Sequence, residues 1–304
     1  MENPLTYEEI SLFEQTSKKS KNDYANKRRE KIICEILNNL IPVIWYIISD
    51  EWKKLKNELL SIIKILSGLK TIYKIICKKM GGRGNHFDFI LYIYINARLY
   101  MTEKIEFKFN AKLITGTSQF LSLPEKSENF ILLRCESYGE HFYDTCIHIL
   151  TQVYGLPHIS RVDYVDNVYK NKCKHEWFNK LKKQETNIKK KSIKTKIVHE
   201  SIDEYLTKNI NKIDIDQFNE KLYSSQKNKK YILYCPKTKK FYTDTITDEE
   251  LTIVSVYLKK KRTNLYIICD TLNPNTELHV LLRWKNTNGI LFPAWQISIK
   301  RSNK

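Results

Sequence analysis

No run of apolar residues in this chain approaches the roughly 20 needed to span a bilayer. The longest, Leu40 to Ile48 (LIPVIWYII), is short and contains Pro42, so no membrane partner is expected. The amino terminus, MENPLTYEEISLF, is acidic rather than basic, and no small-residue cleavage pattern follows an apolar core, so secretion is not expected either. Paired cysteines are also lacking. Cys34, Cys77, Cys135, Cys146, Cys173, Cys235 and Cys269 are odd in number, scattered and without a CxxC spacing, which reads as reduced thiols in an intracellular setting, cytoplasmic or nuclear. Cys135, His141, Cys146 and His148, with Cys173 and His175 beyond them, do not reproduce the spacings of structural zinc sites. Gly81, Gly82 and Gly84 surround Arg83, but no GK[ST] follows, which excludes a phosphate loop. Those glycines suit a turn, with Arg83 placed to reach a phosphate. No internal repeat is present.

Acidic residues are in deficit. Fifty-two lysines and arginines face 34 aspartates and glutamates, a net charge of +18, and so basic a chain attracts polyanions at long range. A competing source is compositional: Lys, Asn, Ile and Tyr are abundant while glycine (8) and proline (7) are sparse, the bias of AT-rich coding sequence. At 304 residues the chain can form one large domain or two modest ones without disulfide support.

Apolar spacing predicts a polar, solvated arm over residues 1–30, a helix from Arg29 to about Ile48 ended or kinked by Pro42, and a second helix carrying Trp52, Leu55, Leu59, Ile62, Ile63 and Leu66. The spacing extends this second helix past Gly68 through Ile72, Ile75 and Ile76 to Gly81-Gly82. Strands are expected at His86–Ile95, Lys104–Ala111 and Phe130–Arg134, then a helix from Glu140 to Tyr154 closing on Gly155. Eleven lysines between Lys170 and Lys196, Lys189, Lys190 and Lys191 among them, read as an exposed linker or phosphate-binding arm. SIDEYLTKNINKIDIDQFNEKL reads as helical and YILYCPKTKKFYTDTI as a hairpin. VSVYLKKK, NLYIICDTL, ELHVLLRWK and WQISIK read as strands. The chain thus divides into four regions: an N-terminal arm and helix (1–50), a mixed α/β core (51–165), a lysine-rich linker (166–200), and a β-rich lobe or sheet extension (201–304).

The stretch GGRGNHFDFILYIYINARLYMTEKIEFKF carries charge inside two apolar strands. Strand side chains alternate, so Glu106 and Lys108 share a face opposite Ile105, Phe107 and Phe109. Asp88 is in phase with His86, Ile90, Tyr92 and Tyr94. If the strands are neighbours, Asp88, Glu106 and Lys108 converge, and two hard carboxylates at one point suit Mg²⁺, with Mn²⁺ as the alternative. A salt bridge from Lys108 to Glu106 or Asp88 is the competing, purely structural use. His86 is placed near the same point and can assist proton transfer or touch a phosphate. Near the end, Arg283, Trp284, Lys285, Trp295 and Gln296 interleave basic and aromatic groups, a pattern that stacks on bases and holds phosphates or else plugs a core.

The segment resembles the PD-(D/E)xK nuclease superfamily (restriction-endonuclease-like), with Asp88, seventeen intervening residues, then Glu106-Phe107-Lys108. Phe87 replaces the proline. The likeness covers about residues 50–155. It implies an α-β-β-β-α-β mixed-sheet core, Mg²⁺-dependent hydrolysis of DNA or RNA, Asp88 and Glu106 as metal ligands, and Lys108 as the catalytic lysine. It further implies a helix glutamate, for which Glu58 is the candidate with Glu35 behind it, and a polar residue after the second strand, for which Gln119 is the candidate. The alternatives are a non-catalytic nucleic-acid-binding protein on a decayed nuclease fold, or a protein-interaction module with compositional charge. A dimer would favour double-strand cuts, but no interface can be read.

Overall fold

The structure, a computed structural model, describes residues 3–14, 22–80, 86–124, 136–169, 175–184, 187–284 and 293–302. In chain order its helices and strands are α1 (Asn22–Leu37), α2 (Val43–Ile48), α3 (Asp50–Ser67), β1 (Lys74–Lys79), β2 (Phe89–Ile95), β3 (Arg98–Phe109), β4 (Leu121–Pro124), α4 (Tyr138–Phe142), α5 (His148–Tyr154), α6 (Glu176–Lys183), α7 (Ile188–Asn209), α8 (Ile215–Gln226), β5 (Lys229–Cys235), β6 (Lys240–Asp244), α9 (Asp248–Leu251), β7 (Ile253–Lys261), β8 (Asn264–Thr271), β9 (Thr276–Trp284) and β10 (Pro293–Arg301). The class is mixed α+β. Two compact units divide the chain, one of residues 1–118 with 225–246, the other of residues 119–224 with 247–304.

The first unit holds a five-stranded sheet ordered β1-β2-β3-β5-β6. β1, β2 and β3 form an antiparallel meander, β3 pairs with β5 in parallel, and β6 returns antiparallel to β5. Asn96 and Ala97, both at positive φ (46° and 64°), make the tight turn between β2 and β3, the twist that two-residue hairpins require. One face of the sheet is apolar because alternate residues are apolar: Ile75, Cys77, Phe89, Leu91, Ile93, Ile105, Phe107, Ile232 and Tyr234 pack with Ile32, Ile33 and Ile36 of α1 and Trp52, Leu55, Leu59, Ile62 and Ile63 of α3.

Three expectations change here. The second helix stops at Ser67 because Gly68 adopts φ +68° and turns the chain out, its N–H and that of Leu69 closing on Ile65 and Lys64 carbonyls. The next element is strand β1, in which Ile75 and Cys77 are buried and Lys74 and Lys78 exposed. The polar N-terminal segment is not a solvated arm in its described part. Arg29 is fully buried, donating to the Leu12 carbonyl at 2.7 Å and lying 3.5 Å from the Phe109 ring centroid. Arg28 pairs with Glu9 and donates to the Asn3 carbonyl. The first expected helix runs from Asn22 to Leu37, and the interruption expected at Pro42 is present, Pro42 capping the separate short helix α2.

The second unit holds a wholly antiparallel sheet ordered β4-β10-β9-β8-β7. The helix expected over 140–154 is present as α4 and α5 joined through a π-helical turn, and Gly155 at φ +61° ends it. Helices α6 and α7 occupy most of the described part of 166–200, the stretch whose composition reads as a linker. Ile197 and Val198 are buried there together with Lys194, while Lys189, Lys191 and Lys196 are exposed, so α7 is a packed helix with most of its lysines on the outer side. The strand expected at Phe130–Arg134 lies outside the described residues. Among the described residues no helix is long and apolar enough to cross a membrane.

Candidate active site

Strand register builds the site. Phe89 pairs with Ile105, and Asp88, the residue before β2, also donates its N–H to the Ile105 carbonyl at 2.9 Å, which holds Asp88 beside β3 within electrostatic reach of Glu106. On the polar side of the sheet Glu106 pairs with Tyr231 of β5, and paired residues share a face. Lys104 and Lys229 form the neighbouring row.

The expected set is therefore brought together. The Phe107 N–H donates to Asp88 Oδ2 at 2.8 Å, fixing that carboxylate at the strand end. Lys108 Nζ donates to Glu106 Oε1 at 2.5 Å. The other Glu106 oxygen, Oε2, lies 3.8 Å from Lys229 Nζ, and Lys229 also donates to the His86 carbonyl at 2.7 Å. Beneath them the Tyr231 hydroxyl donates to Gln226 Oε1 at 2.5 Å, and Gln226 Nε2 donates to Ser225 Oγ.

Burial dominates the electrostatics. It pushes the Asp88 carboxyl up to about 6, and the negative charge of Glu106 adds to the push. The Phe107 N–H, Lys108 and Lys229 pull it back. Burial pulls the Lys229 ammonium down to about 8, opposed by the Glu106 charge and aided by Lys108. The Tyr231 phenol is held well above its ordinary value by burial and by Glu106. His86 is lowered by burial and by Lys229, with Glu106 opposing. Two carboxylates whose charges oppose each other on adjacent strands are a donor set for a hard divalent cation, which takes one or two protein carboxylates and fills its remaining positions with water and substrate oxygens. Among the described residues no group of three or more His, Cys, Asp or Glu side chains forms a self-contained metal site.

The other expected residues are dispersed. Glu58 lies on α3, the helix that packs on the apolar face, and its charge is felt by Tyr234, whose side chain points into that same core. Asp88 and Glu106 occupy the opposite face. Glu35 on α1 pairs with Lys31. Gln119 sits in the second unit just ahead of β4. In that unit Lys191 and Arg283 line one cavity of about 350 Å³ between α7 and the ends of β8 and β9. Lys190 donates to Gln184 Oε1 and lies 5.5 Å from the Tyr154 ring centroid, and Lys189 is exposed. His86 contributes its backbone carbonyl to the site. Arg83 and Lys285 lie outside the described residues.

Lys229, Tyr231 and Gln226 are the members that sequence reasoning missed. KNKKYILYC reads as a strand, but only knowledge that this strand pairs in parallel with β3 distinguishes Lys229 from its many neighbours. Comparison of the chain with protein-family models, with curated proteins and with solved structures finds no match.

Proposed function

We propose that the chain is a metal-dependent nuclease of the PD-(D/E)xK kind, acting on nucleic acid phosphodiester bonds. The observation that carries this reading is the gathering of Asp88, whose carboxylate accepts the Phe107 N–H and feels the charge of Glu106, with Glu106 and the Lys108 that donates to it. Helix α3 followed by β1-β2-β3, and α8 followed by β5 parallel to β3, supports it, as does the net charge of +18.

Asp88 and Glu106 would hold Mg²⁺ or Mn²⁺, which when bound supplies Lewis acidity at the phosphate and a water of lowered pKa. The chain's own groups do the rest. The Phe107 N–H locks the Asp88 carboxylate in place. Lys108, two residues from Glu106 on one face, presents an ammonium that orients the attacking water or balances charge developing on the phosphate. Lys229 braces Glu106 from below and ties β5 to the entrance of β2 through the His86 carbonyl. Purified protein with Mg²⁺ or Mn²⁺ should cut plasmid or single-stranded DNA, or RNA, and Asp88→Ala and Lys108→Ala should abolish cutting. Undiminished metal-dependent cleavage in both variants sinks the assignment.

The Glu106–Lys108 ion pair favours a second reading, a non-catalytic nucleic-acid-binding protein on the same fold. In that case affinity falls steeply with salt, as counterion release requires, while no metal supports cleavage.

A further inference from the structure

The polar face of the first sheet is covered at β5, where Tyr231, Leu233 and Cys235 are buried, but open over β1, β2 and β3. Register lays out what this open part carries. Lys78 pairs with Ile90 and Ile90 with Lys104. Ile76 pairs with Tyr92 and Tyr92 with Thr102, and the last row joins Lys74 to Tyr94. Lys74, Lys78, Thr102 and Lys104 are exposed, and Tyr92 and Tyr94 are half-buried. Two lysines stand against rings, Lys78 Nζ 5.3 Å from the Tyr92 centroid and Lys104 Nζ 5.4 Å from that of Phe87. Within β1, β2 and β3 and the approach to β2, the acidic side chains on this face are Asp88 and Glu106 themselves.

We infer that this face is a track for single-stranded nucleic acid that delivers the strand to Asp88, Glu106 and Lys108. The inference deepens the nuclease reading and rests on it for the chemistry at the end of the track. The recognition is that of a strand binder: lysines take the phosphates, and flat aromatic rings on a sheet take the faces of unpaired bases. A duplex keeps its bases stacked inside and offers such a surface only phosphates, so the tyrosines discriminate for the single strand. Successive rows on a strand are two residues apart, roughly 6.5 Å, so the rows beyond Asp88 accommodate a few nucleotides.

The test separates binding from cutting. Binding of the full chain to a fluorescein-labelled 12-nucleotide oligothymidylate, the matching oligouridylate and a blunt duplex is followed by anisotropy in EDTA. Cleavage of unlabelled strands is followed separately with Mg²⁺ or Mn²⁺. Tyr92→Leu and Tyr94→Leu keep the half-buried bulk but remove the ring. Each should weaken single-strand affinity about 5- to 100-fold and leave duplex affinity unchanged, while Tyr92→Trp retains it. Lys78→Gln with Lys104→Gln should flatten the salt dependence, by about 0.7 in logarithmic slope for each phosphate no longer neutralised. Equal effects on DNA and RNA strands support one shared track, and an effect on only one of them assigns the track to that strand. Leucine variants that bind the strand as the unaltered protein does overturn the inference, as does an unaltered protein that binds duplex at least as tightly as single strands. A protein whose strand binding depends on the tyrosines but which cuts nothing keeps the track and removes the nuclease reading.

Discussion

Lys229 holds the His86 carbonyl at 2.7 Å across 143 positions of sequence, and the same ammonium stands 3.8 Å from Glu106. One buried cation thus ties the end of β5 to the entrance of β2 and faces both carboxylates of the candidate site.

Removing that cation should move a pH profile. Lys229 draws the Asp88 carboxyl downward, so Lys229→Met should raise the Asp88 value above about 6. The midpoint of cation binding should shift to higher pH, as measured by Mn²⁺ titration at a series of pH values. Stability need not fall, since replacing a desolvated charge with an apolar side chain is often neutral or favourable. A midpoint that stays put would show that Lys229 and Asp88 are not electrostatically coupled.

Asp88 predicts an unusual acid limb. Its folded value of about 6 exceeds the ordinary 3.8, so the folded state holds the proton more tightly than the unfolded chain. Its contribution to stability is fully present below about 3.8 and is lost as pH rises through about 6. The difference of 2.2 corresponds to roughly 3 kcal/mol at most. Thermal melts in EDTA should show Asp88→Asn gaining on the unaltered protein between pH 4 and 7, and added Mn²⁺ should narrow the gap by stabilising only the protein that retains the carboxylate.

Glu58 should prove dispensable for cutting. It lies on the helix packed against the apolar face, near Tyr234, whereas Asp88 and Glu106 occupy the other. Glu58→Gln should leave metal-dependent cleavage rates unchanged and stability within about 0.5 kcal/mol, while Glu106→Gln should lower the rate by a factor on the order of 100 or more.

The β2–β3 turn offers a gain. Ala97 sits at φ 64°, a left-handed conformation that costs an L-residue roughly 1–2 kcal/mol. Ala97→Gly relieves that cost, against a greater loss of unfolded-chain entropy, and should raise the melting temperature by a few degrees.

Within the candidate site, Asp88, Glu106 and Lys108 are legible from phase alone, because they interrupt apolar segments at positions of one parity. Alternation likewise exposed β2, β3 and the strands from β5 onward. It failed at β1, where Ile72, Ile75 and Ile76 satisfy a helical spacing and a single left-handed glycine decides otherwise. It failed at 166–200 because lysine density reflects mostly the outside of α7 and is silent about the side on which Ile197, Val198 and even Lys194 are buried. Glu58 shows a different limit: helical phase identifies a side chain's place on its helix but not which face of a sheet the helix will cover. Lys229 was hidden because partner choice in a parallel pair is a long-range property, set by packing and not by local pattern.

The parallel pairing of β3 with β5 also sets a clock. Lys104 and Lys229 are partners, and the intervening chain, residues 110–228, contributes nearly all of its length to the second unit. At roughly 5–20 residues per second during synthesis, β5 emerges on the order of ten seconds after β3. In that interval Asp88, Glu106 and Lys108 already exist while Lys229 does not, and β3 stands as an unpaired edge open to pairing with other chains. The nascent protein is therefore most prone to misassociation, and still without its completed site, at the stage when the second unit is being made.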